Sequence, residues 1–452
     1  MLRPLALVSL LFTPVIVAAQ DIGHYTSKTP YQPQQAFADY EAAPQGYSIR
    51  MIQHVARHGS RGLSSNDDDD LMMQLYQLAS AEGALTELGE QLGAALEDII
   101  AVHKVLGYGQ LSRLGEIEHE QTAARIVERH PEWLAAASPE QHRIRVTHSG
   151  RSRAEDSGVA FVDYLHSVLP NLKGVIEPAE ASVETLYFHK AEGSEGFDDY
   201  RSHDRRLISA MDAINSSPQT NEVVEQILTR LFTQSFIERL AAGEFTLRAE
   251  EDPSDVIESP LDAVMSLYGL YSIAVNLTEE LSESFDPFIE PEHAAWLAYL
   301  DDADSFYGRG PGFAGDDITY RAADALFTEM LTEMAAVESD DELLASFRFT
   351  HAQVTMPIAT WLQLEHTQTA VAEDELYTYD TISWRGGLVS PMAANVQWEV
   401  YTHEDATHEP LVRMLHLERE IPFPANCQPL AGTDYYYTVQ EITRCLAEIH
   451  PI

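Results

Sequence analysis

The chain has 452 residues, 45% of them hydrophobic, with 72 acidic against 28 basic side chains and a formal net charge of −44. That length buries a large core, in more than one domain or in one domain with an insertion. The charge excludes sequence-independent binding to nucleic acid or to an anionic membrane, whose phosphates the protein's own field repels, and apolar segments throughout exclude wholesale disorder.

Residues 1–19 read as an export signal. Arg3 makes a short basic start, Leu5–Val17 an apolar run, and Val17-Ala18-Ala19 a small-residue cleavage site before Gln20. The run is too short to span a bilayer comfortably and no later stretch qualifies, so a secreted or periplasmic location is expected, with no membrane partner. Tyr47–Ala56 places Ile49, Met51 and Val55 on alternate positions, as a strand does, and runs into Arg57-His58-Gly59-Ser60-Arg61. Residues 67–106 are expected to be helical. Their opening Asp67–Asp70 reads as a solvated helix entry, because the spacing, glycine and final glutamate of a calcium loop are absent. Thr86 and Ser112 hold equivalent places in two similar strings, Gly83–Glu90 and Gly109–Glu116, and mark helix N-caps.

Arg143–Ser149 reads as a second strand, followed by a helix over Arg153–Leu169. Residues 204–342 show helical periodicity almost throughout. Strand character returns at Ser346–His351, with Pro357 expected in the first turn of the next helix, and again at Asn395–Thr402 and Leu411–Leu417. The alternation predicts an α/β fold: a mixed, mainly parallel sheet flanked by helices, with an inserted α-helical cap domain. Residues 20–204 and 343–452 form the core domain in this division, and residues 205–342 the cap. Cys427 and Cys445 are the only cysteines. In an oxidising compartment they pair, a closure contributing about 3 kcal/mol; no His/Cys cluster supports a metal pair or a catalytic thiol instead.

The chemistry collects at strand ends, where open α/β sheets place their ligands. His58 sits at the first, with Gly59 allowing close backbone approach and Arg57 and Arg61 able to fork onto phosphate oxygens. A neutral imidazole there can attack phosphorus. Taken alone, the string is matched equally well by a surface loop. Arg153, just inside the helix after the second strand, and His351, closing the third, shift that balance, since three strand-to-helix junctions then supply His, Arg and His. His54 and His58 have the His-x-x-x-His spacing of a zinc helix, but the segment is a strand without the glutamate, so His54 is expected to pack in the core. With so many carboxylates elsewhere, the arginines are expected to concentrate at the cleft.

Arg57-His58-Gly59-Ser60-Arg61 resembles the R-H-G-x-R signature of the histidine acid phosphatases, and Ser149–Phe161 resembles that family's S-G-x-x-R…S-G…F segment. His351-Ala352-Gln353 stands where the family has its distal histidine motif, which is His-Ala-Glu in members resembling multiple inositol polyphosphate phosphatase. Tyr299–Asp304 leading into Tyr307-Gly308, and Ser390–Asn395, are similar to the same branch. The resemblance runs from about residue 46 to the C-terminus. It implies a phosphomonoesterase needing no metal or organic cofactor, with His58 as nucleophile, Arg57, Arg61 and Arg153 binding the scissile phosphate, and His351 stabilising the transition state. Phytate and other inositol polyphosphates are the implied substrates; a broad-specificity acid phosphatase is the alternative.

One position departs from the pattern. The branch carries its proton donor on the glutamate of His-Ala-Glu, and this chain has Gln353, whose amide cannot protonate a departing alkoxide. Another carboxylate supplies the proton, or a neighbouring substrate phosphate does, or the protein is a catalytically weak binder of phosphate esters. General acid catalysis contributes about 10²–10⁴-fold, so the choice matters most for poor leaving groups such as inositol oxygens.

Overall fold

The computed structural model describes residues 23–282, 284–339 and 342–450. Residues 1–19, read above as an export signal, lie outside the described residues.

The described residues form ten strands: β1 (Tyr47–Arg57), β2 (Arg143–His148), β3 (Glu180–Ala181), β4 (Leu247–Arg248), β5 (Val256–Ile257), β6 (Leu343–Thr350), β7 (Asn395–His403), β8 (Leu411–His416), β9 (Arg419–Ile421) and β10 (Tyr437–Thr438). Eight of them form one sheet in the order β10-β8-β7-β1-β6-β2-β3, with β9 on β8. β1, β6, β2 and β3 pair in parallel, while β7 lies antiparallel to β1 and β8 antiparallel to β7. This is the expected mixed sheet with helices on its faces. β4 and β5 make a separate small hairpin.

β1 and β6 are central, and their apolar runs serve both faces of the sheet. Ile52 and Ala56 join Phe161, Phe347 and Phe349 in one core, under the helix Ser152–Val168. Met51 and Val55 join Trp398 and the apolar sides of the helices between β3 and β6 in a second, larger one. His54 is fully buried, bonds Gln397 through Nδ1 at 3.1 Å and stacks on Phe161, so it packs in the core as expected.

Local chemistry sets several boundaries. Thr86 accepts from Gly89 N at 3.0 Å and Ser112 from Gly115 N at 3.3 Å, so both residues cap helices as their strings imply. Cys427 and Cys445 are joined in a disulfide. Among the described residues, no helix is long and apolar enough to cross a membrane.

Two expectations need correction. The acidic run does open a helix, Asp67–Ala81, but it is not solvated throughout. Asp69 is buried and accepts from His103 Nδ1 and Tyr108 Oη, each at 2.8 Å. Burial pushes neighbouring Asp68 up to about 6. The partners come from later segments that a local reading of four aspartates does not weigh. Pro357 lies inside the helix Ala352–Trp361, beyond its first turn. There it lacks the N–H that would bond the carbonyl of Gln353.

Candidate active site

The sheet register builds the site. Arg57 pairs with Thr350 and His148 with Phe349, so β1, β2 and β6 end together. His58, Ser149 and His351, each the next residue along, therefore meet at one edge. The imidazole rings of His58 and His351 are buried, with centroids 5.3 Å apart.

Beyond β1 the turn is held firmly. His58 N donates to Thr350 O at 2.7 Å, and Ala393 N donates to His58 O at 3.0 Å. Ser60 donates to the buried Glu118 carboxylate from N at 2.7 Å and from Oγ at 2.9 Å. Gly59 is required by contact: a Cβ there would lie 2.4 Å from the carbonyl oxygen of Gly115, in the helix that Ser112 caps. His58 Nδ1 lies 2.9 Å from the Gly59 carbonyl, which can only accept. Nδ1 thus carries the proton, and Nε2 is left with its lone pair. Burial, then Arg57, His351, Arg61 and Arg153, hold this imidazole well below its ordinary value, so it is neutral at physiological pH.

The arginines crowd together. Arg57 and Arg61 are each pushed down to about 9. For Arg57 the causes are burial, then Arg61, with Glu118 opposing; for Arg61 they are burial and then Arg153. Arg153, partly buried, is lowered as well, chiefly by burial. All three remain cations at neutral pH. This concentration of guanidinium charge is the one expected for the cleft of so acidic a protein.

His351 caps the helix that follows β6, and its Nε2 is 2.7 Å from Ser149 Oγ. Its Nδ1 is buried without a hydrogen-bond partner. Burial and the cations Arg153, Arg57 and Arg61, with His189, push it down to about 2. Gln353, in the same helix's first turn, lines a cavity of about 210 Å³ together with His189, Thr319 and Arg321. Among the described residues, no three His, Cys, Asp or Glu side chains cluster as a metal ion requires.

Three contributors went unseen in the sequence. Arg309, at the end of the helix Pro291–Arg309, adds its charge to the field on Arg57 and is paired with Asp304 at 3.4 Å. It lies just past the Tyr307-Gly308 pair singled out above, and a lone cation ending an acidic helix was the available signal. Ser27 is the second: its carbonyl accepts from Arg57 Nη1, which also donates to Ser390 O at 2.7 Å. The Thr26–Lys28 turn is anchored on Asp301, by Thr26 Oγ1 and by Lys28 Nζ at 3.7 Å. Nothing local to that polar N-terminal stretch announces this role. Glu118, beneath the turn, is the third.

A neutral, buried histidine facing a second histidine, inside a cluster of arginines at parallel strand ends, suits an α/β protein that handles phosphoryl groups. The model of the histidine phosphatase superfamily (branch 2) matches residues 48–416, and the chain belongs to that family. Among solved structures, the multiple inositol polyphosphate phosphatase of Bifidobacterium longum in complex with phosphate is 30% identical, over 94% of this chain and 98% of that one, with a TM-score of 0.89. The same enzyme in complex with inositol hexasulfate is 29% identical over the same shares, with a TM-score of 0.88. The phytase of D. castellii, 14% identical over 94% of this chain and 84% of its own, shares the fold with a TM-score of 0.65. No curated protein sequence matches significantly.

Proposed function

We propose that this phosphatase-family protein is an exported phosphomonoesterase that removes phosphate from inositol polyphosphates such as phytate, through a phosphohistidine on His58. The observation that carries the reading is the state of His58: neutral, protonated on Nδ1, with the Nε2 lone pair free amid guanidinium charge. The likeness to an enzyme solved with inositol hexasulfate and with phosphate supports the substrate class. Residues 20–204 and 343–452 make the phosphatase core in this reading, and residues 205–342 the cap over its strand ends.

Arg57, Arg61 and Arg153 bind the scissile phosphate, because three fixed cations in a dry site stabilise equatorial oxygens without reorganising. His58 Nε2 attacks phosphorus in line with the leaving oxygen. As charge builds on His58, the Gly59 carbonyl steadies the imidazolium through Nδ1. His351 Nδ1, left unpartnered while Ser149 occupies Nε2, donates to a phosphoryl oxygen. Water then cleaves the phosphohistidine.

The test is phosphate release from phytate and from an aryl phosphate, with His58→Ala as the blank. Turnover of both is expected, falling by more than about 10⁴-fold in the variant. Turnover of the aryl ester alone would restrict the protein to good leaving groups. Turnover of neither would leave a phosphate-ester binder, the reading that Gln353 favours.

A further inference from the structure

The leaving oxygen needs a proton, and Gln353 has none to give. The cavity that Gln353 lines has Phe188, His189, Thr319 and Arg321 in its wall. Among the described residues that line it, His189 alone carries a group that exchanges a proton at acid to neutral pH, since a guanidinium keeps its charge. His189 is 8% exposed, and its Nδ1 is buried without a hydrogen-bond partner. Its ring packs edge-on against Tyr187, with centroids 4.4 Å apart, and Tyr187 lies 5.1 Å from His351. The Phe188–Lys190 turn packs against both the helix bearing Gln353 and the Arg321–Ala323 turn. The carboxylates nearby are engaged elsewhere: Asp304 with Arg201 at 3.1 Å and Arg309 at 3.4 Å, and Asp198 with Lys190 at 3.5 Å.

We propose that His189 is the general acid of this enzyme, a catalytic residue standing in for the carboxyl that position 353 lacks. The inference rests on the phosphomonoesterase reading above. In the first step the bond from His58 Nε2 to phosphorus forms and the phosphorus–alkoxide bond breaks, and the alkoxide takes a proton from the His189 imidazolium. In the second, water attacks the phosphohistidine and gives a proton back to neutral His189, releasing phosphate and free His58. One ester and one water become one alcohol and one phosphate.

The groups around His189 set when it is charged. Burial, then Lys190 and Arg309, push it down to about 4; Asp198 opposes them and Arg151 adds to them. His351, Arg321 and Tyr187 also lie around it. An anionic substrate counters those cations and favours the imidazolium in the complex. In free enzyme the proton is lost as pH rises through about 4, so acid-dependent turnover is expected to weaken toward neutrality.

The experiment compares wild type, His189→Gln, Gln353→Glu and the double variant on phytate and on p-nitrophenyl phosphate, from acid to neutral pH. An inositol oxygen needs protonation to leave and a nitrophenolate does not. His189→Gln is therefore expected to lower the ratio of phytate to aryl-ester turnover by about 10²-fold or more, and adding Gln353→Glu to bring it back to within about tenfold of wild type. Equal losses on the two esters, or no recovery in the double variant, would overturn the assignment. Wild type that cleaves the aryl ester alone would overturn it too, leaving the phosphatase reading in place. Wild type inactive on both esters would overturn that reading itself.

Discussion

Two of the buried charge clusters follow opposite rules. At the strand ends, Arg57, Arg61 and Arg153 repel one another and depress both His58 and His351. On the antiparallel side of the sheet, every buried arginine has carboxylates. Arg413 of β8 binds Glu399 of β7 and reaches Glu420 at 2.8 Å; Arg129 meets Glu418 at 3.0 Å, Arg125 meets it at 2.7 Å, and His130 reaches Glu399 at 3.1 Å. Burial opposes ionisation of Glu399, yet Arg413, His130 and Arg129 hold it well below the usual carboxylate range. The second cluster is closed upon itself. The first is short of anions, and its unsatisfied field is what a phosphate ester would complete.

The contrast is sharpest in variants. Glu399→Gln strands buried arginine charge and is expected to cost about 3–5 kcal/mol in chemical denaturation, while the folded fraction keeps its activity. A loss under about 1 kcal/mol would show that the antiparallel cluster is not closed. Arg153→Gln should do the reverse. It is expected to lower kcat/KM for phosphate esters about 10²-fold while leaving the fold as stable, or more stable by up to about 1 kcal/mol, because repulsion is relieved. A clear destabilisation would mean that the crowding of arginines is not strained. The effect of pH, taken per histidine and per unit, is smaller. His54 and His416 are pushed down to about 4, His119 to about 3 and His351 to about 2, in each case chiefly by burial. Their folded values lie below the unfolded one, so the unfolded chain takes up protons that the folded chain refuses. Stability should therefore fall as pH drops below about 6.5, by at most about 1.4 kcal/mol per unit for each histidine, offset in part by Asp68 and Asp302, whose carboxyls burial raises to about 6 and about 7. Glu399 and Glu418, lowered by their arginines, join only below the ordinary carboxylate range. A urea midpoint that rises on acidification through that upper window would contradict this.

What the sequence made legible follows the same division. Arg57, His58 and Arg61 share one string, and Arg153 and His351 each sit one junction from a strand, so local periodicity places them all. The sheet, the inserted helices, two N-caps and the disulfide were legible on the same local grounds. Residues that reach the site across the chain were not. Ser27 arrives from the N-terminus and Arg309 from the end of a distant helix, while Glu118 looks like one more acid in a surface helix until its partners Tyr31 and Ser60 are placed. Asp69 failed for that reason: an aspartate run carries no local sign that His103 will bury one member. Pro357 is placed by the packing of its helix, which outweighs the usual preference of proline for a first turn.

The contact between Arg57 and Ser27 has a consequence for the order of assembly. β1, β2 and β6 can pair and bring His58 and His351 together before residues 26–28 dock. The guanidinium of Arg57 gains its second carbonyl only when that turn closes onto Asp301, across 275 positions of chain. Arg57 on β1 and Asp301 on the helix Pro291–Arg309 must both be in place before the turn can dock on them, so this contact comes late in folding. Phosphatase activity should thus lag behind secondary structure during refolding, and the docking of the Thr26–Lys28 turn sets when the enzyme switches on.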